Sequence, residues 1–203
     1  MAQNIALIDY GAGNLQSVYN ALKAAGGEAQ VTDDPNVVLM ADRIILPGVG
    51  AFGACFNALD SIDGMIDALE RRVRQEAAPF LGICVGMQLL ADKGVENGSH
   101  QGLGWIGGTV RAFELSIEIK IPHMGWNKVS VLQGHELLED GEAYFLHGYK
   151  FDAATQDIAA TTDHGGSVCA AVAHNNIIGV QFHPEKSQGY GLSFLSRFLE
   201  WSP

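Results

Sequence analysis

Two short stretches of this sequence hold residue types that could do covalent chemistry together. The first, "GICVGMQLL" at 82–90, sets Cys84 between Gly82 and Gly86 in an otherwise apolar run. The second, "IGVQFHPEKSQ" at 178–188, runs an apolar segment into His183-Pro184-Glu185. A thiolate nucleophile needs a general base, and the base needs a group to orient it. Cysteine, histidine and glutamate supply those three roles. Proline holds the residue before it extended, and residues two apart on an extended chain point the same way. His183 and Glu185 are therefore expected to face one site. A third stretch, "ILPGVGAFG" at 45–53, is a run of glycines after an apolar segment. Flexible glycines at the end of a strand can bring backbone N–H groups close to a ligand.

These stretches need elements to hold them. An apolar run at 80–83, then the two glycines and a helix opening near 87–91, reads as a strained strand-to-helix elbow that lifts a nucleophile above a sheet. Its small residues leave room for the bent backbone, and a helix N-terminus beside the sulfur would favour thiolate. Strands are expected at 5–8, 29–32 and 43–46, with helices at 15–25 and 65–76 between them and the elbow. That alternation, with wholly apolar strands, predicts a mainly parallel sheet covered on both faces. The second half reads as strands at 103–113, 128–132, 143–146, 168–173 and 177–182. A hairpin turn is expected at Asn175-Asn176, and a helix at 192–201 ends the chain. The fold class is α/β: one domain over 1–203, with an antiparallel part in its second half.

Bulk properties narrow the function. The net charge of −11 disfavours nucleic acid and anionic membranes. The basic run Arg71-Arg72-Val73-Arg74 falls in a helical pattern and reads as a solvated face. Three widely spaced cysteines fit the reducing cytoplasm, and Cys55 and Cys169 lack an elbow and read as core thiols. The N-terminus lacks the pattern of a signal peptide, and no apolar stretch approaches ~18 residues. No metal or cofactor is expected. "GAGN" at 11–14 has Gln16 where a dinucleotide fingerprint needs its third glycine.

In order and type, the three stretches resemble the class I triad glutamine amidotransferases over nearly the whole chain. "DYGAGNLQSV" at 9–18, "IPHMGWN" at 121–127 and "YFLHGY" at 144–149 sharpen this. They are similar to the glutaminase subunits of imidazole glycerol phosphate synthases, and the length suits a separate subunit. The resemblance implies a flavodoxin-like sheet and a Cys84–His183–Glu185 triad that splits L-glutamine through a glutamyl thioester. It implies an oxyanion hole made by backbone N–H groups of Gly48, Val49, Gly50 and Val85, and glutamine contacts at Gln88, Glu96, His147, Gly148 and Tyr149. It also implies a heterodimer with a (β/α)8-barrel cyclase subunit, contacted near Asn14, His123, Tyr144 and Lys186. That partner would receive ammonia through a tunnel and convert the ribulosyl formimino nucleotide PRFAR to imidazole glycerol phosphate and AICAR, in histidine biosynthesis. A peptide of the "PGVG" loop is expected to turn before the oxyanion hole is complete, keeping the free subunit nearly idle. Gly148 stands where the family usually has Ser or Thr, and Gly107-Gly108 where a proline is common. Glutaminase chemistry for another synthase, or an elbow-cysteine hydrolase or peptidase on the same fold, are the alternatives.

Overall fold

The computed structural model describes residues 3–114, 119–132 and 134–203. The first half alternates as the apolar runs predict. In chain order come β1 (Ile5–Ile8), α1 (Leu15–Ala24), β2 (Ala29–Thr32), α2 (Pro35–Met40), β3 (Arg43–Gly48) and α3 (Phe52–Asp60). Then follow α4 (Met65–Leu69), β4 (Phe80–Cys84) and α5 (Val85–Gln88). The helix expected at 65–76 continues past α4 as a π-helical segment, Glu70–Gln75. Helix α2, which the sequence reading omitted, starts with Asp34 capping the Asn36 N–H and Pro35 in its first turn.

The second half holds β5 (Lys93–Gly94), β6 (His100–Gln101), β7 (Gly108–Ala112), β8 (His123–Val131), β9 (Gly141–His147) and β10 (Tyr149–Ala153). It ends with β11 (Ile158–Asp163), β12 (Ser167–His174), β13 (Ile177–Val180) and α6 (Gln188–Glu200). Asn175, at φ 52°, turns the β12–β13 hairpin as expected. Nine strands form one sheet in the order β2-β1-β3-β4-β13-β12-β11-β8-β9. The five from β2 to β13 run parallel, and antiparallel pairing begins at β12. Strands β10, β7, β5 and β6 make a second, small sheet that the sequence reading did not foresee. The chain passes from the large sheet to the small one at Gly148, between β9 and β10.

Two expectations fail for one local reason. The helix after the elbow has only four residues, and most of 103–113 is not strand. The Leu103 N–H donates to the Leu89 carbonyl, and the Trp105 and Ile106 N–H groups to that of Leu90. These carbonyls would otherwise carry the helix onward, so the 103–106 segment ends it. Gly102 permits the approach, because a Cβ there would strike the Ala91 carbonyl. One hydrophobic cluster spans both halves of the sheet. Phe182, just past the end of β13, packs edge-on against Phe145 of β9 and Phe194 of α6, with centroids 6.0 and 5.7 Å away. Each such buried ring contributes roughly 1.5–3 kcal/mol. Together they lock α6 and β9 beneath the His183 turn.

Candidate active site

The elbow at Cys84 is set by close packing. Cys84 has φ 55° and ψ −110°, a backbone conformation costing about 1–3 kcal/mol unless its surroundings enforce it. The neighbouring glycines enforce it. A Cβ on Gly82 would lie 2.6 Å from the Gly86 oxygen, and one on Gly86 would strike the Leu46 carbonyl of β3. On β3, Gly48 sits opposite Cys84, and a Cβ there would come within 2.6 Å of the Tyr10 hydroxyl. That hydroxyl donates to the Pro47 carbonyl at 2.7 Å. The four-residue α5 is too short for the helix-dipole effect expected on the sulfur.

His183 follows β13, the parallel neighbour of β4. Its Nδ1 lies 2.8 Å from the Glu185 Oε1, with both side chains almost wholly buried. The route differs from the expected one. Residues Pro184–Lys186 form a 3₁₀ turn, so Glu185 curls back to the imidazole and does not lie along an extended strand. The His183 N–H donates to the Tyr144 carbonyl, and the Ser187 hydroxyl donates to the His183 carbonyl. The turn is thereby tied to β9. Burial opposes charge on His183, but hydrogen bonding and attraction from Cys84 and Glu185 outweigh it and push its pKa up to about 10. The hydrogen-bond contacts of the Cys84 Sγ are the Leu146 carbonyl at 3.9 Å and the Gln181 amide at 3.7 Å.

A cavity of about 350 Å³ opens above the sulfur. Among the expected residues, Val49, Gly50, Cys84, Val85, Gln88, Glu96, His147, Gly148, Tyr149, His183 and Lys186 line it; Leu146 and Pro122 line it too. Gly48 and Glu185 do not line it: Gly48 pairs with Cys84 across β3 and β4, and Glu185 stands behind His183. Gln88 is buried and donates to the Tyr149 carbonyl at 3.2 Å. The Glu96 Oε2 accepts from the Phe52 N–H at 2.7 Å, at the start of α3. The His147 Nδ1 bonds the Tyr149 carbonyl at 2.7 Å, while its Nε2 meets the His123 Nδ1 at 3.0 Å. Burial first, then neighbouring histidine charge, pushes His147 down to about 4 and His123 down to about 3. Backbone bonding to Tyr149 only partly offsets this at His147.

His123 requires a correction. It was expected at the partner surface, yet it is 3% exposed, stacked on His164 and bonded to His147 and Asn127. Strand β8 alternates, so its outward residues are Met124, at 65% exposure, Trp126, at 47%, and Lys128. The period of two in "HMGWN" held that signal. Tyr144 and Lys186 are partly buried, with the Lys186 Nζ 5.9 Å above the Tyr144 ring and Trp126 edge-on to that ring. Asn14 is the partly buried residue preceding α1, outside the cavity lining. Cys55 and Cys169 are buried, and burial raises both thiols, Cys169 to about 12. Gln181, which the sequence reading passed over, is wholly buried and touches both Gln88 and Cys84.

Residues 6–200 match the family model for class-I glutamine amidotransferase. An imidazole glycerol phosphate synthase subunit HisH from Zymomonas mobilis is 58% identical, covering 100% of this chain and 98% of that one. The subunit of the same name from Rhodospirillum rubrum is 51% identical, covering 98% and 99%. Among solved structures, one described as a glutamine amidotransferase superposes with TM-score 0.73 at 20% identity, over 96% of this chain and 97% of that chain. The structure of PurLQS from Thermotoga maritima gives 0.71 at 19%, over 98% and 97%. At such identities the superpositions speak for the fold. The family match and the close relatives together show that this chain belongs to the class-I glutamine amidotransferase family.

Proposed function

We propose that this chain is a single glutamine amidotransferase domain that hydrolyses glutamine for imidazole glycerol phosphate synthase, in histidine biosynthesis. The Cys84 thiolate attacks the side-chain amide carbon of L-glutamine. Backbone N–H groups of the Gly48–Gly50 loop and of Val85 receive the oxyanion. The His183 imidazolium, oriented by Glu185, passes its proton to the departing nitrogen, and ammonia leaves a glutamyl thioester. His183 then takes a proton from water, the hydroxide attacks the thioester carbon, and glutamate departs with the thiolate restored. Glu96 receives the substrate ammonium, and Gln88, His147, Gly148 and Tyr149 form the wall beside it.

The observation that carries this reading is that Cys84 and His183 line one cavity, with Glu185 bonded to His183 behind it and Gln88, Glu96, His147 and Tyr149 among its other lining residues. No other thiol among the described residues has such a setting. The partner is a (β/α)8-barrel cyclase subunit. Its landing surface is the Met124, Trp126, Tyr144 and Lys186 group, with Asn14 at its margin, where large apolar side chains stand exposed beside the cavity. Ammonia passes to the cyclase within that interface. A peptide of the loop at 48–50 turns when the partner's site is filled. The compartment is the cytoplasm, in keeping with three unpaired thiols. No described helix is long and apolar enough to cross a membrane.

The test is glutamate release with and without the cyclase subunit and PRFAR. Slow release alone and large activation in the ternary mixture are expected, with neither seen in Cys84→Ala. Absence of any activation would defeat the assignment to this synthase. Release undiminished in Cys84→Ala would defeat the nucleophile.

A further inference from the structure

We propose that Gln181 stabilises the Cys84 sulfur as a thiolate by donating an amide N–H to it, with Gln88 fixing the direction of that donor. The inference rests on Cys84 being the nucleophile. It concerns a residue outside the triad, the oxyanion loop and the substrate wall.

The direction of each amide follows from one backbone carbonyl. The Tyr149 oxygen can only accept, so the Gln88 atom 3.2 Å from it is the amide nitrogen. The same nitrogen lies 2.9 Å from the Gln181 side chain and has a second hydrogen to give. The Gln181 atom it meets is therefore the oxygen, Oε1. That leaves the Gln181 nitrogen as the atom 3.7 Å from the Cys84 Sγ. Turning the Gln181 amide over would set two NH2 groups against each other and an oxygen against a sulfur that must carry negative charge. Gln181 has no exposed surface, so water offers no alternative partner. Its backbone N–H is held by the Ala170 carbonyl at 2.8 Å, which anchors the residue beneath the elbow.

Three consequences follow. The sulfur is approached by a neutral donor from below, in addition to the imidazolium charge. In a buried site, a hydrogen bond to the charged form of an acid favours that form. Both hydrogens of the Gln88 amide are committed, so only its Oε1 remains to meet a ligand in the cavity. A ligand that pulls on Gln88 therefore also acts on the donor at the nucleophile. This links occupancy of the glutamine site to the poise of the thiol through two side chains. The short α5 supplies little dipole of its own, which gives the donor more weight.

The test follows iodoacetamide alkylation of Cys84 against pH in the full-length chain, read by peptide mass so that Cys55 and Cys169 do not interfere. In Gln181→Met the midpoint is expected to rise by about one unit, slowing alkylation roughly tenfold at pH values below the midpoint. In Gln88→Met, Gln181 keeps its amide but loses its fixed direction, so a smaller rise in the same sense is expected. Should Gln181→Met not fold, Gln181→Leu removes the amide donor with a smaller, uncharged side chain, and a rise is again expected. A profile superimposable on the wild type in either folded Gln181 variant overturns the proposal, since a purely structural role would leave the midpoint in place. Labelling of the wild-type protein with an electrophilic glutamine analogue separates the two levels. No adduct at Cys84 overturns the nucleophile and this inference with it, whereas an adduct with unchanged profiles overturns Gln181 alone.

Discussion

Histidine is poised in opposite senses in the two halves of the sheet. At the end of parallel strand β13, His183 is held charged, its pKa pushed up to about 10 against the cost of burial. In the antiparallel β8–β9 ribbon, His123 and His147 are held neutral, pushed down to about 3 and about 4. The depth of burial is similar, with all three nearly inaccessible. The neighbours differ. His183 faces a carboxylate and a thiol, whereas His147 and His123 face each other and further histidine. A buried imidazole thus becomes an acid or a spacer according to what the fold sets beside it. The backbones differ in the same way. Strands β1, β3, β4 and β13 are buried at every position, while β8 and β9 alternate. The parallel half fixes the reacting groups. The ribbon has one face for the cavity wall and one left exposed.

The largest expected effect comes from removing the charged histidine. His183→Asn should lower partner-activated glutamate release by at least about a hundredfold, the usual contribution of a general acid–base. The same variant tests the poise. A raised pKa contributes stability that is fully present below the ordinary histidine value of ~6.5 and is lost as pH climbs through about 10. The wild type should therefore lose melting temperature between pH 7 and 10.5 relative to His183→Asn. Parallel curves would refute the charged state.

Gly86→Ala comes next, because it pits the rigid half against a single methyl group. The Leu46 carbonyl cannot retreat without breaking the β3–β4 pairing. A cost of about 3 kcal/mol is expected, with a fall of roughly 10 °C in Tm. An unchanged Tm would mean the elbow is not close-packed.

In the ribbon, His123→Phe keeps the ring but leaves the His147 Nε2 unpaired, at a cost of about 1–3 kcal/mol. Here the sign is reversed. A lowered pKa contributes stability present above ~6.5 and lost as pH falls toward about 3. Acid titration of the melting temperature should be flatter in the variant between pH 6.5 and 4. An equal or steeper acid loss would show that the pair is not held neutral.

The smallest effect belongs to Gly148→Ser. A Cβ at Gly148 meets nothing within 4 Å, so the substitution should shift stability by less than about 0.5 kcal/mol. A changed KM for glutamine, with Tm constant, would show that the hydroxyl common in the family has a role that glycine gives up.

Much of the site was legible in the sequence, because Cys84 and His183-Pro184-Glu185 lie at the ends of short apolar runs whose length and composition specify buried strands. The glycines at 82 and 86 announced the elbow, since only a missing side chain explains their place in an apolar stretch. Other features were hidden for physical reasons. The helix after the elbow stops after four residues because a segment fifteen residues later takes its carbonyls. Local pattern cannot see that capture. Gln181 looked like one polar residue at a strand end, and its importance lies in two partners 93 and 97 residues away. His123 shares its motif with exposed neighbours, and only the face it takes on β8 separates it from them.

The sequence by itself determined the parallel α/β core, the elbow and the candidate trio of Cys84, His183 and Glu185. Each of these follows from local composition, from apolar runs, and from glycines where a side chain cannot fit. The tertiary structure alone decided which polar groups meet once buried. It curled Glu185 onto His183 through a 3₁₀ turn, paired His147 with His123, and turned two glutamine amides so that a donor faces the sulfur. Those outcomes depend on the register of strands far apart in the chain. In a dry interior the partner of a polar group, more than its type, sets its charge and direction.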